Sequence, residues 1–189
     1  VSIRYAILGF LSWKPFTGYE LKKLFADALS FHWSGNSNQV YGALIELHKA
    51  GAVGVEVLQQ EKLPARKVYT ITEAGRAELR AWLLSEPELP SIRSMARVQL
   101  AWADCLSDAE LGGLLSSYEG QLEAQAIMCR EAARRGPLRP ARSPREELIW
   151  NCVEEANLAF YEGELRWVRE LGSRLATLGG AGGEGSGGS

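Results

Sequence analysis

Long apolar runs, a surplus of either charge, and residues that build metal or nucleophilic sites are all scarce in this sequence. No stretch approaches the roughly 18 consecutive apolar residues of a membrane span, and the N-terminus lacks the charged-then-apolar pattern of a secretory signal. A cytoplasmic protein with no membrane partner is therefore expected. Only two histidines, His32 and His48, and three cysteines, Cys105, Cys129 and Cys152, occur in 189 residues. The odd number and wide spacing of the cysteines suggest neither a disulfide framework nor a zinc site. Set in apolar helical patterns, they read as reduced core thiols. No nucleophile elbow, phosphate loop or isolated pair of carboxylates stands out, so no catalytic residue, metal or cofactor is expected and an enzyme is disfavoured. The net charge of −2 argues against a highly basic, nonspecific nucleic-acid coat. Residues 1–87 hold ten basic against eight acidic side chains, a net +2, and the remainder carries −4. That asymmetry permits DNA binding without establishing it.

What is present is hydrophobic periodicity, in a chain that is 46% hydrophobic and long enough for one solid core or two modest ones. From Ser2 to Trp13, Ile3, Ile7, Leu8 and Leu11 share one helical face, which stops before Lys14 and Pro15. Thr17 offers an N-cap hydroxyl to a second helix carrying Tyr19, Leu21, Leu24, Phe25 and Leu29. Ser34, Gly35 and Asn36 break the pattern. A third helix, Ser37–Ala50, buries Val40, Ala43, Leu44 and Leu47 and ends at Gly51, the residue type suited to the left-handed position after a helix.

The period then changes to two, with Val53, Val55 and Val57 alternating with Gly54, Glu56 and Leu58. Gln59–Lys62 and Pro64 form a loop, and Arg66–Thr72 returns as a second strand. Thr72 caps a further helix, from Glu73 to about Ser85, in which Ala74, Ala77, Ala81 and Leu84 are spaced for packing. Pro87 and Pro90 close this region.

Beyond the prolines the pattern is wholly helical. A first stripe runs Ile92, Met95, Gln99, Trp102, Leu106. A second, from about Asp108, runs Leu111, Leu114, Leu115, Tyr118, Leu122, Met128, and frays into the basic, proline-rich stretch 134–144. The third starts near Ser143 and sustains Ile149, Cys152, Ala156, Phe160, Gly163, Trp167, Leu171, Leu175 and Leu178. One helix of some 35 residues runs roughly 50 Å, too long for a module of about 90 residues to cover. Its uncovered apolar stripe calls for another chain, most simply a second copy related by two-fold symmetry. The dimerisation candidates are thus Ile149, Cys152, Ala156, Phe160, Gly163, Trp167, Leu171 and Leu175.

The resulting fold class is mainly α: an N-terminal winged helix-turn-helix, with three helices, a two-stranded β-wing and a capping helix, followed by an all-α dimerisation domain. The expected divisions are 1–87, 88–178, and a flexible Gly/Ser-rich tail at 179–189. In such a domain the third helix lies in the major groove and the wing reaches backbone or minor groove. With Val40, Leu44 and Leu47 inward, Asn38, Gly42, Ile45 and Lys49 turn outward, flanked by Gln39 and Tyr41. Asn and Gln pair with adenine edges, Ser37 and Tyr41 suit phosphates, Ile45 suits a thymine methyl, and Gly42 leaves room for close approach. Lys62, Arg66 and Lys67 of the wing are candidate phosphate contacts, the alternative being ordinary solvated charge. Thr17 and Tyr19 mark a helix N-terminus able to hold a phosphate, with Tyr19 equally readable as core.

The segments "YAILGFL" at 5–11, "TGYEL" at 17–21, "SNQVYGALIELHKAG" at 37–51 and "VYTITEAGRAEL" at 68–79, in that order, resemble the PadR-like transcriptional regulators, a bacterial family. The resemblance covers about residues 3–178. Downstream, "VQLAWADCLSDAEL" and "EGELRWVREL" resemble the dimerising tail of the longer members. It implies that Tyr41 and its neighbours meet double-stranded operator DNA, that the tail holds a homodimer, and that many members repress transcription until a small-molecule effector binds. Asn38 and Gly42, and the polar Gly35–Asn36 before the recognition helix, depart from the family's habit and bear on which operator is read. Two other readings stay open. A winged helix can serve as a protein-interaction module without DNA. The tryptophans, among them Trp82, Trp102, Trp150 and Trp167, either pack the core or line an aromatic effector pocket. The basic residues Arg134, Arg135, Arg139, Arg142 and Arg145 read as a solvated connection, with DNA flanks as the alternative.

Overall fold

The computed structural model describes residues 3–27, 37–60, 63–89, 94–135 and 142–181. They fall into two compact units, Val1–Leu89 and Pro90–Ser189. The first unit contains α1 (Ile3–Leu11), β1 (Phe16–Thr17), α2 (Gly18–Asp27), α3 (Ser37–Lys49), β2 (Val53–Gln60), β3 (Leu63–Ile71) and α4 (Glu73–Leu83). Residues 34–36 and Lys62, to which expectations attach, lie outside the described residues.

The expected inward stripe of α3 is the centre of the core. Val40, Ala43, Leu44 and Leu47 are buried with Ile7, Leu8, Leu11, Leu21 and Phe25, and the Phe10 and Phe25 rings meet edge to face at 5.1 Å. Helix α3 ends in a Schellman arrangement. Gly51 adopts φ 73°, its N–H donates to the His48 carbonyl at 3.0 Å, and the Ala52 N–H donates to the Leu47 carbonyl at 3.0 Å. The chain thereby turns straight into β2, and His48 Nδ1 bonds the Val53 carbonyl at 2.9 Å across the same corner.

The sheet has the order β1-β3-β2, all antiparallel. Strand β1 was not expected: two residues, Phe16 and Thr17, pair with Tyr69 and Val68. The wing is also longer than its sequence pattern suggests, because Gln59, Gln60, Leu63 and Pro64 belong to the strands. Pro64 is tolerated there since β1 pairs only with residues 68–69, leaving that end of β3 free on one side, beside a register irregularity between Leu58 and Gln60.

Helix α4 begins as expected at Thr72, whose Oγ1 accepts from the Gly75 N–H at 3.1 Å and donates to the Gly51 carbonyl at 2.7 Å. Its packing face differs from the expected one. Ala74, Ala77, Ala81 and Leu84 are exposed, while Gly75 is buried. A Cβ on Gly75 would collide with the Ala52 carbonyl, so this glycine lets the helix lie directly on the α3–β2 corner. Farther along, Glu78 pairs with Arg4, and Trp82 stacks on Tyr5 with ring centroids 4.6 Å apart. A salt bridge and one ring stack decide the face where alanine spacing suggested a different one.

The second unit holds α5 (Met95–Ala101), a 3₁₀ turn (Ala103–Cys105), α6 (Asp108–Arg135) and α7 (Pro144–Ala181). Helices α6 and α7 form an antiparallel pair, about 42 and 57 Å long at 1.5 Å per residue. Leu122, Ala126 and Val168 are buried, and ion pairs cross from Arg169 to Glu119 and Glu123 and from Arg130 to Glu162. Glu164, only 7% exposed, accepts from Tyr118 of α6 at 3.0 Å and pairs with Arg97 of α5, whose guanidinium lies over the Trp167 ring. Helix α7 continues through Gly179 and Gly180 to Ala181, so the region expected as a tail begins inside a helix. Arg134 and Arg142 of the basic stretch pair with Glu131 and Glu146.

The cysteines are a correction. Cys105 and Cys152 are exposed and Cys129 is half-buried, so none is a core thiol within the chain. Cys105 lies in the 3₁₀ turn, Cys152 is on a face of α7 turned to solvent, and Cys129 of α6 is partly covered, near Tyr161 of α7. Burial pushes the Cys129 thiol pKa above its ordinary value against the pull of Arg130. Met95, Trp102, Met128, Ile149 and Phe160 are likewise exposed. Among the described residues no helix is long and apolar enough to cross a membrane.

Candidate nucleic-acid interface

Four buried residues on one side of α3 oblige the other side to face out. Asn38, Gln39, Tyr41, Gly42, Ile45 and Lys49 are all exposed, and so are Glu46 and His48 between them. Among the described residues nothing lies within 4 Å of a Cβ built on Gly42, so none of them requires glycine there. Ser37 opens the helix. Glu46 is the residue that sequence reasoning passed over. Its spacing, one position from Ile45 and three from Lys49, already put it on the outward face. It adds an acceptor suited to a cytosine amino group.

Two surfaces flank this face. Arg66 and Lys67 are exposed on β3, opposite Leu58 and Val57. Tyr19, at the first turn of α2, is 70% exposed, which resolves its two readings in favour of the surface. Thr17 is the N-cap expected of it, and its hydroxyl is engaged there and not turned to a phosphate. It is 7% exposed, and with Glu20 it closes a capping box: its N–H and hydroxyl both donate to Glu20 Oε2 at 2.7 Å, and the Glu20 N–H donates to Thr17 Oγ1 at 3.2 Å. A carboxylate thus already sits at this helix N-terminus, where a phosphate was expected. The Thr17 amide and hydroxyl hold the Glu20 pKa below its ordinary value, with Arg66 and Lys14 adding to the effect. Those two cations therefore lie within the field of the start of α2. Lys14, also unforeseen, is exposed with its ammonium 5.0 Å above the Phe16 ring.

Tyr41 is 42% exposed, and one edge of its ring rests against Gly18. Burial raises the Tyr69 pKa, and the proximity of Tyr41 raises it further. The ring is braced by its own domain while its remaining surface is open to a ligand.

Residues 7–81 match the family described as the Transcriptional regulator PadR-like family. Through this segment the chain is similar to the PadR-like family. The negative transcriptional regulator PadR of Bacillus subtilis is 29% identical over 122 residues, 64% of this chain and 65% of that protein. The probable transcriptional regulator Rv1176c of Mycobacterium tuberculosis is 32% identical over 91 residues, 48% of each chain. The chain thus spans just under two thirds of the first relative and about half of the second. In three dimensions it resembles B. subtilis PadR in complex with operator DNA, with a TM-score of 0.79 at 22% identity over 91% of this chain and 98% of that one. It also resembles the same protein in complex with p-coumaric acid, with a TM-score of 0.73 at 22% identity over 93% and 96%. At that identity the likeness is one of fold, the PadR winged-helix architecture with its helical C-terminal part.

The residues expected at a dimer seam form an exposed line on α7 at its start and turn inward at its end. Ile149, Cys152, Ala156, Phe160 and Trp167 are exposed, Gly163 is half-buried, and Leu171 and Leu175 are half-buried within the chain. At 100° per residue, Leu171 and Leu175 lie about 40° and 80° round from Trp167, toward the side where Val168 is buried. The outward line therefore belongs to residues 149–167.

Proposed function

We propose that this protein is a sequence-specific DNA-binding transcriptional regulator of the cytoplasm, acting as a homodimer on a pseudo-palindromic operator. The observation that carries the reading is the outward face of α3: Asn38, Gln39, Tyr41, Gly42, Ile45, Glu46 and Lys49 exposed on a helix whose other side is locked into the core. Asn38, Gln39, Glu46 and Ile45 read base edges; Ser37, Tyr41 and Tyr19 meet phosphates; Lys62, Arg66 and Lys67 of the wing neutralise the adjoining backbone. Thr17 contributes by capping α2. The winged domain ends at about residue 87 and the helical part, to residue 178, holds the dimer.

Dimerisation is supported by the line Ile149–Trp167, apolar and exposed on a helix of about 57 Å that α6 covers on one side. Two winged domains then meet half-sites one helical turn, roughly 34–36 Å, or a multiple of it apart. The name of the B. subtilis relative, a negative regulator, supports repression. Its structure with p-coumaric acid supports release by a small-molecule effector, which would act by changing the angle between the two winged domains and so unmatching both half-sites.

The test is binding of the purified protein to the DNA fragment upstream of its own gene against a scrambled fragment at fixed physiological salt, with Tyr41→Ala alongside. Preference for the upstream fragment, lost in the variant, is the expected result. Equal weak binding to both, or none, overturns the proposal in favour of a protein-interaction module.

A further inference from the structure

We infer that Gly18 is a positioning residue for the DNA-reading face: by lacking a side chain it seats the Tyr41 ring of α3 against the start of α2. This rests on the proposed DNA-binding role of α3. A Cβ placed on Gly18 would stand 2.5 Å from Tyr41 Cε1, 3.2 Å from Cζ and 3.3 Å from Cδ1. The whole leading edge of the ring, up to the carbon bearing the hydroxyl, thus lies where any other residue would put its first side-chain atom. The backbone does not ask for glycine here. Among the described glycines only Gly51 has a positive φ, and α2 is capped by Thr17 and Glu20 without help from Gly18. With neither a left-handed φ nor a capping role asked of Gly18, the ring contact is the feature that calls for glycine at this position.

The consequence is specific to Tyr41. Of the two sides of the contact, the start of α2 is held by its capping box and by β1 pairing with β3, whereas the ring is the end of a side chain on the open face of α3. An added methyl therefore moves the ring, by roughly 1 Å if ordinary carbon–carbon contact is to be restored. Tyr41 is 42% exposed, so the room for that shift is on its open side, and the ring swings outward, into the space a DNA strand would occupy. Gly18 in this way sets how far the Tyr41 hydroxyl reaches while making no DNA contact of its own.

The test begins with duplexes selected by the full-length protein from a random pool, and compares wild type, Gly18→Ala, Tyr41→Ala and the double variant on the selected duplex. Expected are an affinity loss of about tenfold for Gly18→Ala, the order of one lost hydrogen bond, with an unchanged or raised Tm, since alanine favours the helix. In the Tyr41→Ala background, Gly18→Ala should change affinity less than twofold, as there is no ring left to displace. An equal loss in both backgrounds, no loss in the single variant, or a lowered Tm overturns the inference while leaving DNA binding intact. Failure of the wild type to enrich any duplex overturns the DNA-binding role itself, and this inference with it.

Discussion

Removing the wing cations should change the salt dependence of DNA binding in a way that removing Tyr41 does not. Arg66 and Lys67 are both exposed on β3 but, as neighbours in a strand, point to opposite faces, so a dimer brings at most four such charges to its operator. Each phosphate neutralised releases condensed counterions and adds about −0.9 to the slope of log K against log salt. Substituting both residues by alanine should make the slope shallower by up to about 3.6. Between 50 and 200 mM salt, a fourfold change, wild type would then lose on the order of 10²-fold more affinity than the variant. The value is an upper figure because Glu20 shares the field of Arg66 and already offsets part of its charge. Tyr41→Ala removes a neutral contact and should lower affinity at every salt concentration with the slope preserved. Fluorescence anisotropy on a labelled operator duplex, titrated at several salt concentrations, reads both quantities. An Arg66→Ala/Lys67→Ala variant with wild-type slope and wild-type affinity would refute the assignment of the wing to the phosphate backbone.

The remaining expectations concern the scaffold. Gly75→Ala should destabilise the winged unit by about 1–3 kcal/mol, seen as a lowered Tm, because the new methyl meets the Ala52 carbonyl of the backbone and not a movable side chain. Glu20, held by the Thr17 amide and hydroxyl, and Glu78, held chiefly by its bond to Arg4, both have pKa values lowered from 4.5. Their stabilisation is therefore complete above the unfolded value and lost as pH falls through the lower folded values. Thermal melts should show Tm falling below about pH 4.5, and Glu20→Gln/Glu78→Gln should flatten that fall; an unaltered pH profile would contradict it. Phe160→Glu, in the middle of the outward line of α7, should shift the protein from dimer to monomer in sedimentation while its far-UV spectrum stays helical. A dimer that persists would move the seam elsewhere.

The winged unit was legible in sequence wherever local rules act alone. The i, i+3, i+4 spacing of Val40, Ala43, Leu44 and Leu47 identifies the inward side of α3 and, by subtraction, the outward residues. Gly51 and Thr72 declare their caps, because the left-handed turn and the accepting hydroxyl are properties of the residue types. Contacts between distant segments were not legible. Two residues of β1 have no periodicity to display, and exist as a strand only because β3 offers them partners. Regular alanine spacing on α4 pointed to one face, while Gly75, Glu78 and Trp82 bind it through another. Apolar spacing on α6 and α7 does not say which half of the pattern faces the neighbouring helix, so Cys129 and Cys152 read as core in sequence and prove half-buried and exposed.

By itself, then, the sequence determined the order of elements, their caps and the two sides of α3, since these depend on hydrogen bonds and rotations within a few residues of one another. Tertiary structure alone decided that Tyr19 is exposed, which face of α4 packs, where the apolar line of α7 leaves the surface, and that Tyr41 leans on Gly18. Each of these depends on which atoms a second segment brings within contact distance, and no spacing along one segment records that.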